Sequence, residues 1–137
     1  MKHMIILTVL CFLLINCSTK TIEGNFWCCN KDMGYLEFSF NKEFIHVFNG
    51  ESGIPLEVKY SRDSIMFGYD ISKKSSLNIY KVNKLNRGNT MLFVNNSDTL
   101  EFNKIKTKGL FIGNVQEEQM EELINAYYLR NMENLCN

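Results

Sequence analysis

GYLEFSFNKEFIHVFNGESGIPLEVKYSRDSIMFGYD, residues 34–70, decides the fold. Leu36, Phe38 and Phe40 fall on one side of an extended chain, while Tyr35, Glu37 and Ser39 fall on the other. Leu56, Val58 and Tyr60 oppose Glu57, Lys59 and Ser61 in the same way, and Ile65, Phe67 and Tyr69 oppose Met66 and Gly68. A period of two with one apolar side is the mark of an antiparallel strand with one buried face. Asn41-Lys42, Asn49-Gly50-Glu51-Ser52-Gly53 and Ser61-Arg62-Asp63 are turn chemistry between the runs. Working outward, the same rhythm predicts strands at 22–29, 34–40, 43–48, 54–60, 64–70, 77–82, 90–94 and 99–105. The gaps are too short for crossover helices, so consecutive strands should pair antiparallel. Eight meandering strands with one apolar face close most economically into a barrel, because closure removes exposed edges. The expected fold is therefore all-β, an eight-stranded antiparallel up-and-down barrel, followed by one C-terminal helix.

That helix is read from VQEEQMEELINAYYLRNMENL, with boundaries of about 114–135. Val115 or Gln116, Met120, Leu123, Ile124, Tyr127, Tyr128 and Met132 recur at helical spacing. Asn114 is placed to cap the start, with Glu117 three residues on. Glu117, Glu118, Glu121 and Glu122 crowd the first half, where the helix dipole favours them. They read as a solvated face of a helix packed on the outside of the barrel. A partner-binding surface is the sharper alternative.

The 137-residue chain carries 15 basic and 15 acidic residues, and no basic block marks a nucleic-acid footprint. Its first residues differ from the rest. Met1-Lys2-His3-Met4 precedes the apolar run IILTVLCFLLI, residues 5–15. A bilayer span needs about 20 residues, so this run suits the apolar core of a signal peptide; a buried first helix or strand is the plain alternative. Leu14-Ile15-Asn16-Cys17 resembles the lipobox of bacterial lipoproteins, with Asn16 where that motif has a smaller residue. The resemblance implies a signal peptide over 1–16, diacylation of the Cys17 thiol, and over 17–21 that lipidated cysteine and a short polar leash, Ser18 to Thr21, leading into the domain at 22–137. Cys11 would leave with the signal peptide. Because two acyl chains hold a protein stably at a bilayer where one does not, Cys17 would tether the domain without a transmembrane helix. Ser18 follows the cysteine where aspartate favours inner-membrane retention, so the expected location is the cell envelope, at the outer membrane of a Gram-negative bacterium.

Ile22-Glu23-Gly24-Asn25-Phe26-Trp27 resembles the Gly-x-Trp signature at the start of the first strand of lipocalin-like barrels. Counting from Gly24, Phe26 takes the aromatic position and Trp27 falls one residue later, on the opposite face. Residues 77–105 also resemble the closing strands of small lipocalin-like lipoproteins. The family implies a barrel interior and a C-terminal helix on the barrel wall.

Cys28, Cys29 and Cys136 remain beyond the leader. An exported chain meets an oxidising compartment, so a disulfide is expected. Adjacent strand residues point to opposite faces, so only one of Cys28 and Cys29 can meet Cys136; a strained vicinal bridge is the alternative. Lipocalins often use a bridge from the C-terminus to the barrel, and the resemblance implies one here. His46 is the one histidine outside the leader, and no C-x-x-C spacing occurs, so no metal and no cofactor is expected. No nucleophile elbow, Walker loop or dinucleotide fingerprint is present.

The aromatic side chains offer a different chemistry. Phe26, Phe38, Phe40, His46 and Phe48, with Tyr60, Phe67, Tyr69, Phe93 and Phe102, are candidates to line an apolar cavity, or equally to fill a solid core. The expected function is non-catalytic binding of a small apolar or amphipathic ligand by a protein tethered to the membrane. The alternative is an interaction or inhibitor module with a filled barrel, using the helix or the 49–53 loop on a protein partner. A hydrolase relying on His46 is the third reading.

Overall fold

The computed structural model describes residues 21–73, 78–113, 115–134 and 136. Cys17 with the rest of the leader and leash up to residue 20, Leu77 and Asn114 lie outside the described residues. Eight strands follow in order: β1 Gly24–Asn30, β2 Gly34–Phe40, β3 Phe44–Phe48, β4 Gly53–Tyr60, β5 Ser64–Gly68, β6 Asn78–Leu85, β7 Thr90–Val94 and β8 Thr99–Lys104. Each pairs antiparallel with the next, and β8 returns to β1 to close the barrel. The closing seam is short: Phe26 faces Lys104, Trp27 faces Asn103, and the Ile105 N–H donates to the Asn25 carbonyl at 2.9 Å.

The turns explain the rhythm. Asn30, Asn41, Asn49 and Asn95 each occupy the first turn position and accept two backbone N–H bonds on Oδ1 from the residues two and three ahead. This is the side-chain mimicry of a backbone turn that makes asparagine a turn residue. The β6–β7 connection uses a left-handed pair instead, Asn86 at φ 49° and Arg87 at φ 58°. β6 accordingly runs to Leu85, three residues beyond the expected end at 82.

Two apolar clusters sit on opposite sides of the same wall. Inside the barrel, Phe26, Phe40, Ile45, Ile65, Phe93 and Phe102 are buried together with smaller neighbours. Outside, Tyr35 and Phe48 are covered by Leu123 and Tyr127 of the helix α1, Met120–Glu133. β2 is therefore buried on both faces, and its outward Glu37 is as buried as its inward Leu36. The helix begins with the 3-10 turn Glu117–Gln119, capped by Gln116 and Gln119 in a reciprocal box. The cap thus falls two residues later than the expected Asn114. The buried positions of α1 are Leu123, Tyr127 and Arg130, while Tyr128 and Met132, expected on the apolar stripe, are exposed. An arginine holds the third buried place because a buried carboxylate waits for it.

A disulfide joins Cys29 to Cys136, so the outward cysteine of the pair makes the bridge and Cys28 stays a buried thiol. The outward direction of Cys29 follows from Phe26 and Cys28 being on the interior side of β1.

Candidate functional site

The barrel is closed at one end and open at the other. At the closed end, the Tyr60 hydroxyl reaches across the opening and shares its one proton between the carbonyls of Ile22 and Asn41, at 3.0 and 2.7 Å. Above that floor Phe40 and Phe102 pack edge to face at 5.7 Å, and the Phe93 and Phe102 centroids are 4.5 Å apart. Phe26 meets Phe40 edge to face at 5.6 Å. These rings fill the lower barrel, each contributing roughly 1.5–3 kcal/mol by leaving water.

The upper barrel holds a cavity of about 360 Å³ that opens between the strand ends. Its wall is Leu36, Phe38, Val47, Leu56, Phe67 and Leu100. Tyr80 stacks on Phe67 with centroids 5.5 Å apart and completes the wall beside the Cys28 thiol. Around the mouth stand Asn30, Asn49, Ser52 and Asn78, with Met33 and Tyr69 exposed above them. The volume lies near the small end of the range for ligand pockets. Burial pushes the Cys28 thiol up to about 12, with the Asp98 carboxylate adding to it, so the thiol stays protonated at neutral pH. Burial raises Tyr80 as well, and Asp98 acts on it in the same direction.

Of the ten aromatic and histidine candidates, Phe38, Phe67 and Tyr69 line this cavity. Phe26, Phe40, Phe93 and Phe102 are interior but belong to the packed lower half, and Tyr60 belongs to the floor. Phe48 and His46 are not interior. Ile45 and Val47 take the inward places on β3, Phe48 packs edge to face on Tyr127 at 5.2 Å outside, and His46 lies under Gly113. The strand Phe44-Ile45-His46-Val47-Phe48 is apolar in both phases because the helix covers its outer side, so alternation alone assigns it the wrong way round. A one-residue choice of phase exchanges every side chain between the two faces.

The residues missed by the sequence reading had a signal. Tyr80 shares its phase with Val82, and Leu100 shares its phase with Phe102, so each follows once one neighbour is known to face inward. Arg130 had a weaker one: it lies seven residues after Leu123 on the same helical stripe. Its Nε and one terminal nitrogen bind the two Glu37 oxygens at 2.7 and 2.8 Å, and the latter nitrogen also donates to the Leu110 carbonyl at 3.2 Å. The Tyr35 hydroxyl donates to the same carboxylate at 3.0 Å. This group lies between the helix and the outer wall, away from the cavity, and holds the helix to the barrel.

On the outer wall, Asn25, Ser39 and His46 are in one cross-strand row. Asn25 Oδ1 and His46 Nδ1 are buried there without a partner among the described residues. Burial lowers the His46 pKa, which keeps the ring neutral near pH 7. Among the described residues, no three His, Cys, Asp or Glu side chains are grouped to hold a metal ion.

What the cavity can do is bind. Among the described residues it presents an apolar well beneath an uncharged hydrogen-bonding rim, and the ionisable groups in its lining are the Cys28 thiol and the Tyr80 phenol, both with raised pKa, and the phenol of Tyr69. Comparison with known proteins gives no matching family model, no matching curated protein and no matching solved structure, so the site is read from its own geometry.

Proposed function

We propose that this chain is a lipid-anchored envelope lipoprotein, of the lipocalin-like kind its sequence resembles, that binds a small apolar or amphipathic ligand without transforming it. The supporting observation is the cavity of about 360 Å³ walled by Leu36, Phe38, Val47, Leu56, Phe67 and Leu100. An apolar ligand entering it exchanges water contact for these side chains, at about 25 cal/mol per Å² of apolar surface removed. The lipobox-like Leu14-Ile15-Asn16-Cys17 supports the anchor. The chain enters the barrel at its closed end, where Ile22 meets Tyr60. Acyl chains on Cys17 would therefore hold the floor toward the bilayer and turn the mouth away from it.

Native mass spectrometry of the detergent-extracted protein tests this reading. The expected spectrum has a chain beginning at an acylated Cys17 and a bound species of small mass that Val47→Phe displaces by filling the well. An unprocessed, unacylated chain would remove the anchor. A chain that holds no apolar ligand, in wild type and variant alike, would remove the binding function.

A second reading has its own observation. Tyr128, Leu129 and Met132 form an exposed apolar strip on α1, between 49 and 65 % accessible, which favours a protein partner on the outer surface. Charge substitution along this strip would abolish such an interaction and leave ligand binding unchanged.

A further inference from the structure

The mouth of the cavity carries a distribution of polar groups that bears on the ligand's head group. Among the described residues, none of the side chains lining the cavity is a lysine, arginine or histidine. The amides of Asn30 and Asn49 line the mouth, and each is fixed by its own turn. Asn30 Oδ1 accepts the N–H groups of Asp32 and Met33 at 2.8 and 3.1 Å, and Asn49 Oδ1 accepts those of Glu51 and Ser52 at 3.0 and 2.9 Å. With the oxygens committed to the turns, the end of each amide left to a ligand is its NH2 donor.

The turns that carry this rim lean acidic. Among the described residues they hold Lys31 and Lys73 against Asp32, Glu51, Asp70 and Asp98, and Lys73 is paired with Asp70 at 3.3 Å. Asp98, in the β7–β8 turn, accepts the Thr99 N–H at 2.8 Å. Its field reaches the cavity wall, since it acts on both Cys28 and Tyr80. A carboxylate brought to this mouth would lose part of its water, find no cation among the described lining residues, and meet Asp98; that combination is unfavourable. An uncharged acceptor would find donors and no penalty of that kind.

We propose that the cavity selects a neutral amphiphile, an apolar chain or ring system with an alcohol, ester or amide head, and discriminates against the carboxylate of the same skeleton. The inference rests on the cavity being the binding site. The head sits among Asn30, Asn49 and Ser52, the apolar body lies against Phe38, Phe67 and Leu100, and Met33 and Tyr69 cover what projects above the rim.

The test uses the full chain in lipid nanodiscs with a reporter in the well, Tyr80→Trp, or Leu100→Trp should the first fail to fold. Quenching of that tryptophan by ω-bromoundecanol and by ω-bromoundecanoate is titrated at a pH where the acid is ionised. Free concentrations are fixed by equilibrium dialysis, and the Trp27 signal is subtracted from the parent chain. The alcohol is expected to quench at roughly tenfold lower free concentration or less, and Asp98→Lys is expected to close that gap. Equal quenching by both compounds, with no effect of Asp98→Lys, would overturn the head-group selection while leaving apolar binding standing. If neither compound quenches, apolar binding itself fails, and the selection with it.

Discussion

Arg130 and Glu37 are each about 3 % exposed or less, and their bidentate pair lies between the helix and the outer wall of the barrel. Taking two charges out of water is expensive, and the attraction between them offsets the cost only where further hydrogen bonds support the pair. The Tyr35 hydroxyl, the Leu110 carbonyl and the Phe111 ring, 4.5 Å from the guanidinium carbon, supply those partners. Arg130→Leu should therefore cost about 3–5 kcal/mol, because it strands a buried carboxylate. The double variant Glu37→Leu with Arg130→Leu should recover most of that loss. Denaturant midpoints followed by the fluorescence of Trp27, which stacks on Tyr35 at 5.8 Å, report both. A single variant as stable as the parent would show that the pair carries no structural role. The sequence held Glu37 on the side of β2 read as wet, and nothing in a strand pattern announces that a helix some ninety residues on will cover it.

At the scale of elements, the strands and turns were legible and the helix less so. β2 and β7 have the boundaries expected from alternation, since turn residues and two-residue periodicity are local properties. The burial of α1 is not local: its apolar, acidic and basic residues are sorted by what the barrel wall presents. That contact is close. A Cβ on Gly50, whose φ is +93°, would stand 2.6 Å from the Tyr127 ring, so the β3–β4 turn and the helix fit only with glycine there. Tyr127 also donates its hydroxyl to the Tyr35 carbonyl at 2.6 Å. The bridge from Cys29 to Cys136 spans 107 residues of sequence and ties the helix end to β1. Closing so long a loop contributes on the order of 4 kcal/mol by restricting the unfolded chain. The paired substitution Cys29→Ser with Cys136→Ser is expected to lower the unfolding midpoint by about that amount and to make the helix the first segment cut in limited proteolysis. An unchanged midpoint together with an uncut helix would refute the stapling role.

The whole molecule has a polarity that bears on its proposed function. Its floor is where the chain enters, and its mouth lies at the other end of strands five to eight residues long, about 17–26 Å at roughly 3.3 Å per residue. With the proposed anchor on Cys17, the four residues 18–21 would span at most about 14 Å, too little for the barrel to turn its mouth to the bilayer around its own length. In nanodiscs carrying a headgroup quencher, a fluorophore on Lys42→Cys at the floor should be quenched, and one on Met33→Cys at the rim should not. Equal quenching of the two would defeat the proposed orientation, and with it exchange of the ligand from the side away from the membrane.

The sequence by itself determined the strands, their antiparallel order, the closure into a barrel and the presence of a C-terminal helix. Each of these follows from periodicity, turn chemistry and the short connections, which are read within a few residues of one another. It left open which of Cys28 and Cys29 is bridged, which phase of β3 faces inward, and whether the barrel is filled or hollow. Those were decided by tertiary packing. The helix makes the outer wall over β2 and β3 as apolar as the inner one, so alternation lost its meaning there. Phe26, Phe40, Phe93 and Phe102 fill the lower barrel and leave the upper barrel open, because cavity volume depends on how side chains from eight strands meet at one level, and no single strand carries that information.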